Sequence, residues 1–297
     1  MTDWPAISDA IASATGQPFR LAGHIRIGGG CINEAFRLEG AGGQHYFLKL
    51  NDARHLPMFA AEAAGLGEIG ATRVIRVPRP IAHGIAGAYS FLVLEYLDMG
   101  VRGNAALLGE HLAALHRCAP QTRPRFGFAQ GNFIGTTPQP NGWSDGWIAF
   151  WRERRLCFQL RLAAENGYGG RLQTLGGELA DALPGFFAGY TPQPALLHGD
   201  LWSGNHAYLP DGTPAIFDPA PYYGDRECDL AMTELFGGYD ANFYAAYRAA
   251  YPPDAGYATR RDLYNLYPIL NHANLFGGNY AQRAERMMQR LLAVVGR

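Results

Sequence analysis

A chain of 297 residues, 48% hydrophobic and 17% charged, has material for a sizeable core in one large domain or two lobes, and its composition excludes disorder. A formal net charge of −1 leaves no broad basic field, so nucleic acid is not expected as a partner. No apolar run approaches the ~20 residues that span a bilayer. The amino-terminal stretch MTDWPAISDAIASATG lacks a basic secretion signal. Cys31, Cys118, Cys157 and Cys228 are scattered like cytosolic thiols. A cytoplasmic protein without a membrane partner is expected.

Residues 3–15 are predicted to form an amphipathic helix with Trp4, Ile7, Ile11 and Ala14 on one face. A strand HIRI, the run Gly28-Gly29-Gly30-Cys31, a strand INEAFRLEG, a GAGG turn and a strand QHYFLKL follow. That last strand carries Lys49, the single lysine among 25 basic residues. Codon bias toward arginine explains the absence of lysine elsewhere but not its presence here, and arginine's fork does not replace a compact ammonium at a phosphate. The helical pattern from Met58 to Ile69 places Glu62 where it can pair with Lys49. SFLVLEYL reads as a buried strand, and DMGVRGN after it as a hinge. Asn104 is expected to cap a helix with Leu107, Leu108, Leu112 and Leu115 as its core face.

Residues 119–144 read as a long irregular loop, fixed in place by Trp143 and Trp147. DGWIAFWRERRLCFQLRLAAENG and GRLQTLGGELADALPGFF are predicted helices. Beyond residue 218, Asp229 is expected to cap an apolar helix or to anchor the loop before it. The remaining third is helical, with Tyr264, Tyr267, Ile269, Leu270, Met287, Leu291 and Leu292 as core. The predicted fold class is α+β with two lobes. Residues 1–97 form a small lobe of antiparallel sheet plus one helix, and residues 98–297 a large, mainly helical lobe.

The chemistry concentrates in LLHGDLWSGNHAYLPDGTPAIFD, residues 196–218. Its spacing H-x-D-x-x-x-x-N, followed by an apolar run ending in a second Asp, matches the catalytic loop and metal aspartate of a kinase. In that role Asp200 is the base that accepts a hydroxyl proton, and Asn205 and Asp218 hold Mg²⁺ against the phosphates of ATP. Taken alone the motif also fits a polar turn or a metallohydrolase cluster of His198, Asp200 and His206. The upstream order favours the kinase: glycine loop, then Lys49, then Glu62. In it Gly28, Gly29, Gly30 and Cys31 cover the phosphates, Glu62 orients Lys49, Leu94 lines the adenine pocket, and Glu95 and Leu97 offer backbone contacts. Backbone amides and Lys49 near Cys31 would lower its pKa, making it a candidate redox switch, including a disulfide between two chains.

HGDLWSGN, FDPA, YYGDRECDLAM, GGGCIN, FLKLN, FGFAQGNFIGTTPQPNGWSDGW and LNHANLFGGNY together resemble the fructosamine (ketosamine-3) kinase family, of the protein-kinase-like fold, from about residue 15 onward. The resemblance implies transfer of the γ-phosphate of ATP to the 3-hydroxyl of a ketosamine, free or protein-bound, after which the adduct breaks down and the amine is released. It implies that Trp202 packs on the sugar and that His272 faces the sugar pocket. The small lobe departs from the full G-x-G-x-x-G pattern, and His206 stands where an apolar strand residue is expected. A kinase of another small alcohol (aminoglycoside, choline or homoserine) and a pseudokinase-like binding module are the alternatives. A monomer and a homodimer are equally compatible with the sequence.

Overall fold

The computed structural model describes residues 2–28, 32–118 and 124–296. The chain forms two compact units: Met1–Asn104 with His206–Pro219, and Ala105–Asn205 with Ala220–Arg297.

The first unit opens with α1, Trp4–Thr15, whose Asp3 side chain accepts from Ala6 N at 3.1 Å and whose end is closed by left-handed Gly16. Ile7 and Ile11, one turn apart, are buried. They pack with Phe36, Leu38, Leu48, Leu50, Phe91 and Val93 from an antiparallel sheet. Its strands are β1 Leu21–Ile27, β2 Glu34–Gly40, β3 His45–Asp52, β4 Pro80–Ala86 and β5 Tyr89–Glu95, in the order β1-β2-β3-β5-β4. Side chains alternate across a strand, so with Leu48 and Leu50 in this core, Lys49 between them is turned to the opposite face. Helix α2, Leu56–Thr72, packs against β4 and β5 and buries Met58, Phe59, Leu66 and Ile69.

The first unit runs through DMGVRGN to Asn104, and that stretch is paired to the returning segment. Gly100 exchanges two backbone hydrogen bonds with Tyr208, at 2.8 and 2.9 Å, and Asn104 N donates to Gly212 O at 3.0 Å. A Cβ on Gly103 would stand 2.2 Å from the Tyr208 ring, so only glycine allows this approach. Farther along, Ile216 N donates to Arg76 O at 3.0 Å, fastening the stretch that leads to Asp218.

The second unit is mainly helical: α3 Ala105–Leu115, α4 Trp147–Trp151, α5 Cys157–Glu165, α6 Arg171–Ala182, α7 Glu227–Leu235, α8 Ala241–Ala250, α9 Tyr257–Phe276 and α10 Tyr280–Val294. All seven core residues expected in the last third are buried. Two local expectations change. The helix expected from Asp145 is interrupted by a π-helical turn at Arg152–Leu156, and the loop expected to be irregular holds a hairpin of Asn132–Ile134 and Thr137–Gln139. Gln139 Nε2 donates to Ala220 O at 3.0 Å, and Asn132 Nδ2 to Pro221 O at 2.8 Å. Side-chain amides thus satisfy buried carbonyls that strand pairing does not reach.

Asp229 resolves the choice left open for it: it lies inside the first turn of α7 and anchors the loop. Its carboxylate accepts from His198 N at 2.6 Å and Gly199 N at 2.8 Å, and pairs with His116 Nε2 at 3.2 Å. His116 Nδ1 in turn meets Tyr247 OH at 2.8 Å. Burial pushes this carboxyl upward, but His116, the His198 side and the Gly199 amide outweigh it and hold it below its ordinary value. A carboxyl depressed in the folded state stabilises the fold above its unfolded pKa, about 4, and loses that contribution as pH falls through the folded value. Asp229→Asn should therefore be about 1–3 kcal/mol less stable than the wild type at pH 7, the usual cost of disrupting buried hydrogen bonds. The gap should narrow below pH ~4 in urea-unfolding curves. A gap independent of pH would refute the ionised anchor.

Candidate active site

Lys49 is buried and donates to Glu62 Oε1 at 2.7 Å and to Asp218 Oδ1 at 2.6 Å. The register Ala35–Lys49–Leu92 across β2, β3 and β5 fixes its backbone. Burial disfavours the ammonium, yet the charges of Asp218 and Glu62 outweigh it, so the pKa rises above the ordinary lysine value and the cation persists. Glu62 is pushed up by burial and by Asp218, against Lys49. The Asp218 side chain is 46% exposed, so its carboxylate is open to a ligand as well as to Lys49. Its backbone is left-handed, φ 57°, an uncommon and strained conformation for a residue other than glycine, typical of functional positions.

In the second unit, His198–Asn205 forms a loop held from behind. Gly199 has φ +84°, and a Cβ there would stand 2.0 Å from Ala220 O, which makes glycine obligatory between His198 and Asp200. Ala220 N donates to His198 O at 2.9 Å, and Asp200 N to His198 Nδ1 at 3.3 Å. Asn205 Nδ2 donates to Asp200 O at 2.8 Å and lies 3.4 Å from Asp200 Oδ2. With the amide nitrogen so engaged, the side chain's acceptor oxygen is left for a hard cation. Asn205 Oδ1, in the second unit, and the Asp218 carboxylate, in the first, are each an oxygen donor of the kind Mg²⁺ takes, so each fits the ion chemically. Among the described residues no group of three or more His, Cys, Asp or Glu side chains is placed to hold a metal, so His198, Asp200 and His206 do not assemble the metallohydrolase cluster.

Trp202 is 39% exposed and packs edge-on to Phe236 at 6.4 Å, and its carbonyl accepts from Tyr239 OH at 3.0 Å. Phe236 also meets His272, at 5.1 Å, and His272 meets Phe276 and Tyr280, at 5.4 and 5.1 Å. Trp202 and His272 thus belong to one aromatic strip. His272 Nδ1 lies 2.7 Å from Pro268 O. A carbonyl only accepts, so Nδ1 carries the proton and Nε2 of the neutral ring is an acceptor. Burial pushes the His272 pKa down, which keeps the ring neutral.

The other expected residues are placed as follows. Gly28 is exposed at the end of β1, and Gly29, Gly30 and Cys31 lie outside the described residues. Leu94 is buried between Phe47 and Pro80. The N–H of Glu95 donates to Arg79 O at 2.8 Å, and its carboxylate takes Arg76 at 2.5 Å. Leu97 lies two residues beyond β5. Trp147 is buried, with Nε1 donating to Tyr264 OH at 2.9 Å, and Trp143 stacks on Tyr223.

Sequence reasoning missed His116, Phe236, Tyr239 and Gln139. Only His116 carried a usable signal: it is four residues beyond Leu112 and eight beyond Leu108, on the buried face of α3 and its extension.

The fructosamine kinase family model matches residues 3–294. A Synechocystis protein named a probable ketoamine kinase is 48% identical over 300 residues, covering 98% of this chain and 97% of that protein. The Arabidopsis thaliana chloroplastic protein-ribulosamine 3-kinase is 44% identical over 260 residues, covering 87% of this chain and 79% of that protein. Among solved structures, a Haemophilus somnus protein assigned as a fructosamine-3-kinase superposes with a TM-score of 0.88 at 28% identity, covering 98% of each chain. An aminoglycoside phosphotransferase, with a TM-score of 0.61 at 16% identity over 99% of each chain, shares the kinase-like α+β fold. This chain belongs to the fructosamine kinase family.

Proposed function

We propose that this protein uses ATP to phosphorylate the 3-hydroxyl of ketosamines, free or protein-bound, with Asp200 as the base. The observation that carries the proposal is the buried Lys49 ammonium joined to both Glu62 and Asp218, a grouping that phosphoryl transfer requires and a mere binding module does not. The names of the relatives supply the acceptor class.

In the reaction, the 3-hydroxyl oxygen bonds to the γ-phosphorus as the bond from that phosphorus to the β–γ bridging oxygen breaks. The hydroxyl proton passes to the Asp200 carboxylate, and ADP leaves. Lys49, oriented by Glu62, contacts the phosphates. Asn205 through Oδ1 and Asp218 through its carboxylate would hold Mg²⁺. The ion supplies charge neutralisation on the phosphates when bound. Trp202 stacks on the sugar, and His272 Nε2 accepts from one of its hydroxyls.

A coupled ADP-release assay with fructosyl-lysine, ribulosyl-lysine, an aminoglycoside and choline tests the reading. Turnover of at least one ketosamine is expected. Turnover of the aminoglycoside or choline alone would reassign the enzyme. Asp200→Asn should lower kcat by at least ~10²-fold, the scale of lost general-base catalysis, with nucleotide affinity retained. A kcat within threefold of the wild type would remove Asp200 from the role. Trp202→Ala should raise KM for the ketosamine about tenfold or more, the scale of a lost stacking contact of 1–3 kcal/mol, with KM for ATP unchanged. Equal changes in both KM values would count against sugar stacking.

A further inference from the structure

On α9, Asn265, Pro268 and His272 are spaced by three and four residues and share one helix face. His272 ends that face in the aromatic strip. At its other end Asn265 lines a cavity of about 20 Å³ together with Gly199, Tyr222, Met232, Tyr267 and Pro268. Asn265 is 6% exposed, and its Oδ1 is buried with no hydrogen-bond partner among the described residues. A buried carboxamide oxygen left unpaired is destabilising, and such groups call for a partner.

Size and chemistry restrict that partner. A space of this volume holds one water-sized group and not a sugar ring. The Asp229 carboxylate beside it is occupied by His198 N and Gly199 N, which argues against a cation. A hydroxyl both donates and accepts, so it satisfies a carboxamide in either of its flip-related orientations. The cavity also adjoins the reacting centre. Gly199 immediately precedes Asp200, and the Tyr267 hydroxyl, whose pKa is raised by burial first, is raised further by the Asp200 charge.

We propose that this cavity is a hydroxyl subsite of the acceptor pocket: the Asn265 carboxamide hydrogen-bonds one hydroxyl of the sugar other than the one phosphorylated. The inference rests on the ketosamine kinase reading and adds a residue that senses the sugar's hydroxyl pattern. A missing hydroxyl then leaves a buried carboxamide unpaired, the situation in which enzymes discriminate strongly.

The test is a cycle between side chain and substrate. Fructosyl-lysine and its 4-, 5- and 6-deoxy analogues are assayed by ADP release with wild type and with Asn265→Leu. For one analogue kcat/KM should fall at least about tenfold in the wild type and far less in Asn265→Leu, while the other analogues change equally in both proteins. Asn265→Ala gives the same comparison should leucine be too large to fold. Identical ratios in both proteins for all three analogues would overturn the subsite and assign the cavity to a resident water. A wild type that turns over no ketosamine would remove the kinase reading and the subsite with it, so the two failures are distinct.

Discussion

The first unit depends on one buried cation. An ammonium taken out of water costs several kcal/mol unless compensated, and Lys49 is compensated twice, by Glu62 from α2 and by Asp218 from the segment that returns after residue 205. Neither carboxylate is near Lys49 in sequence. The fold has to bring α2 and the returning segment to the same face of β3, and the pairing of Gly100, Asn104 and Arg76 with that segment keeps it there. An ammonium has three donors. Two are engaged here, and the proposed reaction assigns the third to a phosphate oxygen. Arginine's planar fork, with five donors, does not fit between two carboxylate oxygens at 2.6 and 2.7 Å while presenting a single further N–H. That geometry is a physical reason for a lysine at this position in a chain that otherwise uses arginine.

The second unit solves a different problem, a loop that must be rigid while its functional groups stay accessible. It is held by its backbone. Asp229 grips the amides of His198 and Gly199, Ala220 pairs with the His198 carbonyl, and a glycine at 199 lets the two backbones meet. The same unit buries further polar groups. Arg155 is fully buried; it donates to Asn141 Oδ1 at 2.7 Å and lies 4.0 Å from the centre of the Tyr222 ring. Its charge is met by carbonyl oxygens and ring faces in place of a carboxylate.

Much of this was legible in the residues, and the limits have physical causes. Alternation in HYFLKL exposed Lys49 as a polar intruder in an apolar strand, and the spacing from Asp200 to Asn205 was readable because the hydrogen bond that joins them is local. The partner of Lys49 was readable too, since an α-helix after the strand offers few carboxylates. What pattern could not give was tertiary polar pairing. Gln139 meets Ala220 across 81 positions, and nothing in TTPQPN distinguishes a buried amide from a loop amide. The π-helical turn at 152–156 escaped for a similar reason: its residues satisfy helical periodicity, and only the hydrogen bonds differ. The hinge was read from composition, and composition does not show the pairing of Gly100 with Tyr208 that ties this stretch to the first unit.

The acidic run GDRECD would, on composition, suit a pocket for the ammonium groups of an aminoglycoside or choline. Its carboxylates are already engaged. Asp225 accepts from Tyr190 and Tyr264 at 3.0 and 2.6 Å. Glu227 pairs with Arg260 at 2.7 Å, and Asp229 holds the catalytic loop. These acids serve the fold, and each would leave a buried donor unpaired if it turned to a ligand. What the unit offers is the partly exposed indole of Trp202, the neutral imidazole of His272 and the carboxamide of Asn265. Those groups stack on a polyol and hydrogen-bond its hydroxyls without asking for charge, and that chemistry points to a sugar-derived acceptor over a polycationic one.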